Sequence, residues 1–597
     1  MQQAGSRETD GYTSCKKLFI GSFVNMTAVI LINTVAAVVD GIFISSCLGV
    51  DATSAFGLAS PLLFFFRILP EIFGSGLQTV YGKYLGKGDI DRANACFSIT
   101  MVFILVIVAA AVLICSVFSD QIAFLLGVKG KAGYLKPMLA AYIAGTLPGL
   151  LFYVVNAVIS SLLFLEGDRR RVVYSTIAIT IADIIGDWLV VNVFHTGLYG
   201  MAVTTSVSYV FGFLVLCTHF LGKNSNIAFT KRNLQLSDEG EILSQGLQRG
   251  LSSFSNMLKV LLLNYIILAI GGPFGVAVFA VVNSISGTLY ASSVGMGQAA
   301  QLLTAVFAGE EDRTSCRNIM KVCYSSGLVI NTVLAVIVFV FSKGIVSLYT
   351  KDPSLLSAAA VAVLLEALTV PFCGLIIVHR SFYQVTGHMV FARCIVVIQN
   401  LVSRCSVLLV FGMLFGFTPM FWFGLVVAEA LSLCFIYGWV WIKNRRMPKN
   451  LEDIMLLPQD FGPKEEDMLR MNIADVNGSE QASIRTGAFC KEKGGSRIDS
   501  YRLSLFVEEM TNNILAFGYS DSRTVKEIEV LVVKKADGFI LRIKDNAVPF
   551  NPVKWLAMHR VDKIDPGKNI GIRIVSNMAK DIRYVRLFNF NTLIIKV

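Results

Sequence analysis

Charge is scarce in this chain. Asp, Glu, Lys and Arg make up 16% of its 597 residues, against about 25% in an average soluble protein. With 54% of residues hydrophobic and a mean hydropathy of +0.64, that shortfall excludes a large soluble enzyme. Paired cysteines are lacking too. The twelve cysteines are scattered, none forms a C-x-x-C pair, and Cys316 and Cys323 have no neighbouring histidine. This excludes a zinc ribbon, an iron–sulfur cluster and a disulfide framework. No G-x-x-x-x-G-K-[ST] occurs anywhere, which rules out a P-loop motor. No cleavable signal is expected, because the first fifteen or so residues are polar and the apolar run from Leu18 is too long for a signal core. Long apolar runs are themselves missing after Trp441. From about Met447 to Val597 nothing reaches the roughly 20 apolar residues that a membrane helix needs.

Before that boundary the runs are abundant. Spans are expected near 18–42, 53–82, 94–118, 138–164, 172–194, 198–221, 251–271, 274–307, 321–348, 355–386, 394–416 and 419–442. The net charge of +11 sits mostly in the short loops between them, as a positive-inside bias requires, so no nucleic-acid partner is expected. Lys16/Lys17, Lys83/Lys87/Arg92, Arg169–Arg171, Lys231/Arg232/Arg249, Arg313/Arg317 and Arg445/Arg446 fall on one side. Fewer, chiefly Lys129, Lys131, Lys136 and Lys351, fall on the other. The expected protein is multi-pass in the cell membrane, with both termini cytoplasmic.

The membrane part repeats itself. Gly49-Val-Asp-Ala-Thr-Ser-Ala-Phe-Gly57, Gly74-Ser-Gly76 and Tyr84-Leu-Gly-Lys-Gly-Asp89 have counterparts about 220 residues on, in Phe274-Gly-Val-Ala-Val-Phe279, Gly295-Met-Gly297 and Phe307-Ala-Gly-Glu-Glu-Asp312. Six spans repeated within twelve give two six-helix lobes related by an axis along the membrane normal. Secondary transporters use that plan, with substrate between the lobes.

An ionisable side chain at mid-membrane costs roughly 2.5–3.5 kcal/mol, so it needs a partner or a task. Asp40 lies in the first span. Asp183 and Asp187 lie four apart on one face of the fifth, and Thr205 of the sixth offers a hydroxyl. Two carboxylates that close favour retention of a proton or capture of a cation. The second lobe carries Lys259, Glu366, Arg380, Arg404 and Glu429, with no pairing legible. Arg67 and Glu71 read as a structural i,i+4 pair.

Asp40-Gly-Ile-Phe-Ile-x-x-x-Leu-Gly, Tyr84-x-Gly-Lys-Gly-Asp89, Val282-Asn-Ser-Ile, Gly295-x-Gly297-Gln-Ala-Ala and Phe382-Tyr-Gln-x-x-Gly387 resemble the MATE multidrug exporters over about 18–445. The resemblance implies a cation antiporter exporting organic, often cationic compounds. It also implies an H⁺ or Na⁺ site of Asp40, Asp187 and Thr205, with Asp183 standing where the family has Asn.

The tail reads as an α+β sandwich. Residues 502–517 are amphipathic at helical spacing, with Leu503, Phe506, Met510, Ile514 and Phe517 approximating one stripe. Ile528–Val532 and Phe539–Ile543 read as antiparallel strands, and 592–597 as a last strand. Glu509 and Asn513 share a helix face, suited to a water-orienting carboxylate and a Mg²⁺ ligand. Asp545 follows a strand, and Gly567-Lys-Asn-Ile-Gly571 opens a helix whose N–H groups can meet phosphate. In that order these residues resemble the GHKL ATPases, particularly the anti-sigma-factor serine kinases, over about 475–597. The resemblance implies ATP with Mg²⁺, held by Asn513, Asp545, Gly567 and Gly571, with Glu509 as the catalytic residue if the domain is active. Ala547, Asn569 and Phe517 depart from the family pattern, which favours binding over turnover.

The expected layout is a 1–17 N-terminal tail, a first lobe 18–222, an inter-lobe loop 223–250, a second lobe 251–446, a helix-rich connector 447–480 and an ATP-binding domain 481–597. The leading reading is an antiporter regulated by its cytosolic nucleotide-binding domain. Two others stand beside it. One is a membrane-anchored kinase that uses the transporter half as receptor and needs a cytosolic signalling partner. The other is a flippase for lipid-linked sugars, for which Lys259, Arg380 and Arg404 would supply a phosphate cavity.

Overall fold

The computed structural model describes residues 2–44, 48–118, 121–122, 135–221, 225–232, 234–348, 352–458, 461–519, 526–535, 537–558 and 570–597. The apolar runs become helices α1 (Gln2–Phe43), α2 (Gly49–Gly86), α3 (Ile90–Val117), α4 (Lys136–Glu166), α5 (Arg169–Phe194) and α6 (Gly197–Leu221) in the first lobe. The second lobe holds α7 (Asp238–Gly272), α8 (Phe274–Gly309), α9 (Arg313–Val346), α10, α11 (Met389–Phe415) and α12 (Pro419–Asn444). Helix α10 is Pro353–Ala367 continued by Val370–Val385 after a bend of 43°. Ten of these helices are long and apolar enough to cross a membrane, and bent α10 makes eleven. The remaining one, α2, is 38 residues long but carries Arg67 and Glu71 midway. The twelve spans expected from sequence therefore each have a helix.

The internal repeat has a structural counterpart. Asp89 caps α3 by accepting from the Arg92 amide at 3.1 Å, and Asp312 caps α9 by accepting from the Ser315 amide at 3.0 Å. A cap of this kind satisfies an amide that the first helical turn leaves without a partner.

The lobes meet where α2 crosses α8. A Cβ on Gly86 would lie 2.2 Å from the Val306 carbonyl oxygen, and one on Gly309 would lie 2.2 Å from that of Lys83. Only glycine allows backbones this close. Gln301 of α8 donates to Ser75 (3.1 Å) and Thr79 (2.9 Å) of α2, and Arg249 pairs with Glu71 at 3.2 Å. Glu71 is thus committed across the lobes rather than to Arg67 alone. Glu71 still acts on Arg67, so the cross-lobe pair adds to the i,i+4 relation.

After α12 come a short helix α13 (Leu451–Met455) and a five-stranded antiparallel sheet in the order β1-β2-β3-β5-β4. The strands are β1 (Met468–Ile473), β2 (Ile528–Lys535), β3 (Gly538–Asp545), β4 (Asp581–Leu587) and β5 (Phe590–Lys596). The expected hairpin is present, with Ile528 opposite Asp545 and Lys535 opposite Gly538. Residues expected to form a helix-rich connector instead supply β1, which pairs with β2. Helices α14 (Val476–Glu492), α15 (Arg497–Phe517) and α17 (Ile570–Met578) cover one sheet face, and the short α16 (Pro552–Met558) precedes α17. The core between them includes Val530, Val532, Leu541, Ile543 and Ile595 from the strands and Leu503, Phe506, Val507 and Met510 from α15. Phe517 does not complete the stripe. It lies at the last turn of α15, before Gly518, and is 79% exposed.

Candidate functional site

Three groups of side chains bear on function. The first lies inside the first lobe, where α5 packs along α6 and against α1, and α6 packs along α4. Asp183 and Asp187, one turn apart on α5, are both buried. The Thr204 hydroxyl donates to Asp187 Oδ1 at 2.9 Å, and Thr205 serves Asp183 while also meeting the Met201 carbonyl at 3.1 Å. Asp40 of α1 faces the same space, and so does the buried ring of Tyr142. One oxygen each of Asp40 and Asp183 is buried with no hydrogen-bond partner among the described residues. Arg67 of α2 lies against Tyr153 and is the basic side chain facing Asp40. The four residues expected from sequence are therefore together. Sequence reading missed Thr204 and Tyr142. Thr204 is adjacent to a residue that was singled out, but the helix phase that separates the two roles depends on how α5 and α6 cross.

The second group is the charge cluster of the second lobe, which had no pairing in sequence. Arg404 donates through Nε to Glu429 Oε1 at 2.7 Å and through an Nη to Tyr290 Oη at 3.2 Å. Gln399 donates to Glu429 at 2.8 Å. Glu366 accepts from Ser286 at 2.8 Å and from Tyr290 at 3.3 Å. Lys259 faces Glu366, Glu429 and Arg404. Two acids and two bases thus close on themselves. Arg380 stands apart, donating to Ser252 at 3.1 Å. Tyr290 and Gln399, which join the charges, carried no charge signal in the sequence.

The third group lies on the helical side of the C-terminal sheet. Glu509 and Asn513 lie on α15. A Cβ on Gly571 would sit 2.0 Å from Glu509 Oε2, so α17 begins directly against that carboxylate. The C-terminal end of α15 reaches the loop after β3, where the Val548 amide donates to the Gly518 carbonyl at 2.8 Å. Asp545, at the end of β3, is buried. Its Oδ1 accepts from the Ala547 amide at 3.0 Å and from Asn591 at 2.7 Å, and Tyr584 fixes Asn591 at 2.6 Å. Burial pushes the Asp545 carboxyl up from its ordinary value, and these two donors hold it back. Gly567, Lys568 and Asn569 lie outside the described residues. Asn591 was missed because it stands in the last strand, some 46 positions after the acid it orients.

The family model MatE matches residues 26–189 and 250–410, the two lobes in turn. The chain belongs to the MatE family. The model of the histidine kinase-like ATPase domain matches 480–596, so this MatE protein carries a second recognised domain. It is 23% identical over 435 residues to the probable multidrug resistance protein YoeA of Bacillus subtilis, covering 70% of this chain and 92% of that protein. It is 24% identical over 382 residues to the multidrug export protein MepA of Staphylococcus saprophyticus, covering 63% and 83%. An outward-facing structure of a multidrug resistance MATE transporter aligns with a TM-score of 0.66 at 20% identity, covering 72% of this chain and 96% of that one. At that identity the likeness shows the fold alone.

Proposed function

We propose that this MatE protein is a secondary antiporter of the cell membrane, exporting organic, predominantly cationic compounds in exchange for H⁺ or Na⁺. The observation that carries this reading is the first-lobe group: three carboxylates on α1 and α5, lined by hydroxyls, with buried oxygens on Asp40 and Asp183 left without hydrogen-bond partners among the described residues. Groups so placed are costly unless they bind a cation or a proton during the cycle. Export of a cationic dye from proteoliposomes under an imposed H⁺ or Na⁺ gradient tests the reading. Export driven by one of the two gradients is expected and names the coupling ion, and export under neither would overturn it.

The names of its relatives, multidrug resistance and multidrug export proteins, support the cargo class. Balanced charge in the second lobe argues against a flippase, because Arg404 and Lys259 face Glu429 and Glu366 rather than an open phosphate cavity. The positive-inside pattern supports placing the basic loops, both termini and the C-terminal domain in the cytoplasm.

The C-terminal domain is proposed to bind ATP with Mg²⁺ and to regulate transport. Its residues fit the group. Asp545 offers a buried acceptor for the adenine amino group, Gly571 opens α17 directly beside the Glu509 carboxylate, and Asn513 would ligand the metal. Bound Mg²⁺ would neutralise phosphate charge there.

A further inference from the structure

Among the described residues, the second face of the C-terminal sheet has no helices of its own domain over it. Strand alternation sends Arg470, Leu531, Val533, Lys535, Arg542, Lys544 and Ile594 to that face, and it rests on the membrane helices. Two kinds of contact hold it, one to each lobe.

The first-lobe contact is mainly apolar and backbone-mediated, with one exposed ion pair, Lys17 to Glu527 at 3.0 Å. The β4–β5 turn inserts below α4. The Phe588 amide donates to the Leu165 carbonyl at 3.0 Å, and Asn226 donates to the Arg586 carbonyl at 2.8 Å. Val585, Leu587 and Phe588 are buried within the same apolar cluster as α2, α4 and α8. A Cβ on Gly88, in the α2–α3 loop, would strike Ile594 Cδ1 at 2.7 Å.

The second-lobe contact is ionic. The repeat that reads Lys87-Gly-Asp89 in the first lobe reads Glu310-Glu-Asp312 in the second, and all three acids of that copy face bases of the sheet. Lys544 pairs with Glu310 at 2.7 Å, Lys535 pairs with Glu311, and Arg470 pairs with Asp312 at 2.6 Å. Arg542 adds a bond to the Glu310 carbonyl at 3.0 Å. Burial alone would raise the Asp312 carboxyl. The Arg470 guanidinium, the Ser315 donors and Lys544 instead hold it well below the usual carboxylate range.

Rocking of the lobes about a central axis requires α2 and α8 to part at this end. A rigid domain fastened to both sides of that seam opposes the movement. We infer that the C-terminal domain is a clamp on the transporter, anchored to the first lobe by the β4–β5 turn and latched to the second by the Glu310–Asp312 acids. The inference rests on the antiporter reading and names how the domain regulates. The latch is the end that releases, because separated charges are rehydrated and screened by salt, whereas withdrawing Phe588 exposes buried apolar surface. With the latch closed, the lobes stay together at the domain side and the carrier waits. With it open, that side can admit cargo.

A charge swap in the full-length protein tests this. Glu310→Lys and Lys544→Glu each place like charges at the latch, and the double variant restores opposite ones. Each single variant is expected to raise gradient-driven turnover by roughly fivefold, the lower end of typical inter-site coupling, and the double variant is expected to return it toward wild type. Hydrogen exchange in nanodiscs supplies a readout that needs no cargo. Each single variant should lose protection over 306–316 and keep it over 586–590, with rescue in the double. That exchange pattern without dye transport would uphold the clamp and reject the antiporter reading. Unchanged exchange at 306–316 in both single variants, or turnover that falls in both and is not rescued, would overturn the clamp.

Discussion

Asp187 shows how far one residue type at one spacing can be read. Its place one turn from Asp183 on a shared helix face follows from periodicity alone, and both side chains are buried. What periodicity does not provide is the partner. Thr204 rather than Thr205 meets Asp187 because the crossing of α5 and α6 turns that hydroxyl inward. Asp187→Asn keeps an oxygen to accept from Thr204 but removes the charge and the exchangeable proton. Gradient-driven export is expected to fall at least tenfold with expression unchanged, and undiminished export in proteoliposomes would reject the site. In the other domain, Asn513→Ala removes an amide oxygen and little packing. Calorimetry on the full-length protein should show Mg²⁺-dependent ATP affinity reduced about tenfold or more, the loss of one charge-assisted contact of ~1.5 kcal/mol. Unchanged affinity would mean that α15 has been assigned the wrong role.

At the scale of elements, apolar length located the membrane helices, because the bilayer sets that length directly. Strand β1 was not legible. Met468–Ile473 is six residues between polar segments, and its pairing with β2 is a contact across more than fifty positions that local pattern does not encode. The seam between α2 and α8 was visible only as small residues. Its meaning, near-contact of two backbones, required the crossing. Gly309→Val would press a side chain onto the Lys83 carbonyl, which has no rotamer to yield with. A cost of about 1–3 kcal/mol is expected, the usual range for overpacking. It would appear as a lowered thermal midpoint and as faster exchange over 82–90 and 302–312. Gly438→Val on α12 is the control, since nothing lies within 4 Å of the Cβ position there. Equal effects of the two would remove the seam's claim to be tightly packed.

For the whole molecule, the question is how two domains that work in different solvents communicate. Ionic strength and pH act on the latch from outside. A carboxyl held below its ordinary value, as Asp312 is, gives its full contribution above the unfolded value near ~3.9 and loses it only as pH falls below that toward the depressed one. Proteolysis between α12 and β1 should therefore be flat from about pH 5 to 8 and rise only in stronger acid. A rise near pH 6 would show that another group governs docking. Nucleotide acts from inside. Strand β3 carries Lys544 on the docked face and Asp545 on the helical face, so the latch and the proposed adenine acceptor are consecutive residues pointing opposite ways. A strand tied at both neighbours by β2 and β5 moves as a unit, and a shift that seats adenine against Asp545 must also move Lys544 relative to Glu310. Mg-ATP is therefore expected to change exchange over 306–316 in the wild type and to leave the anchored turn, 586–590, unaltered. Asp545→Asn should abolish that response while the latch itself still forms. Nucleotide that binds calorimetrically and leaves 306–316 unchanged would separate the two sites and leave the clamp under some control other than ATP.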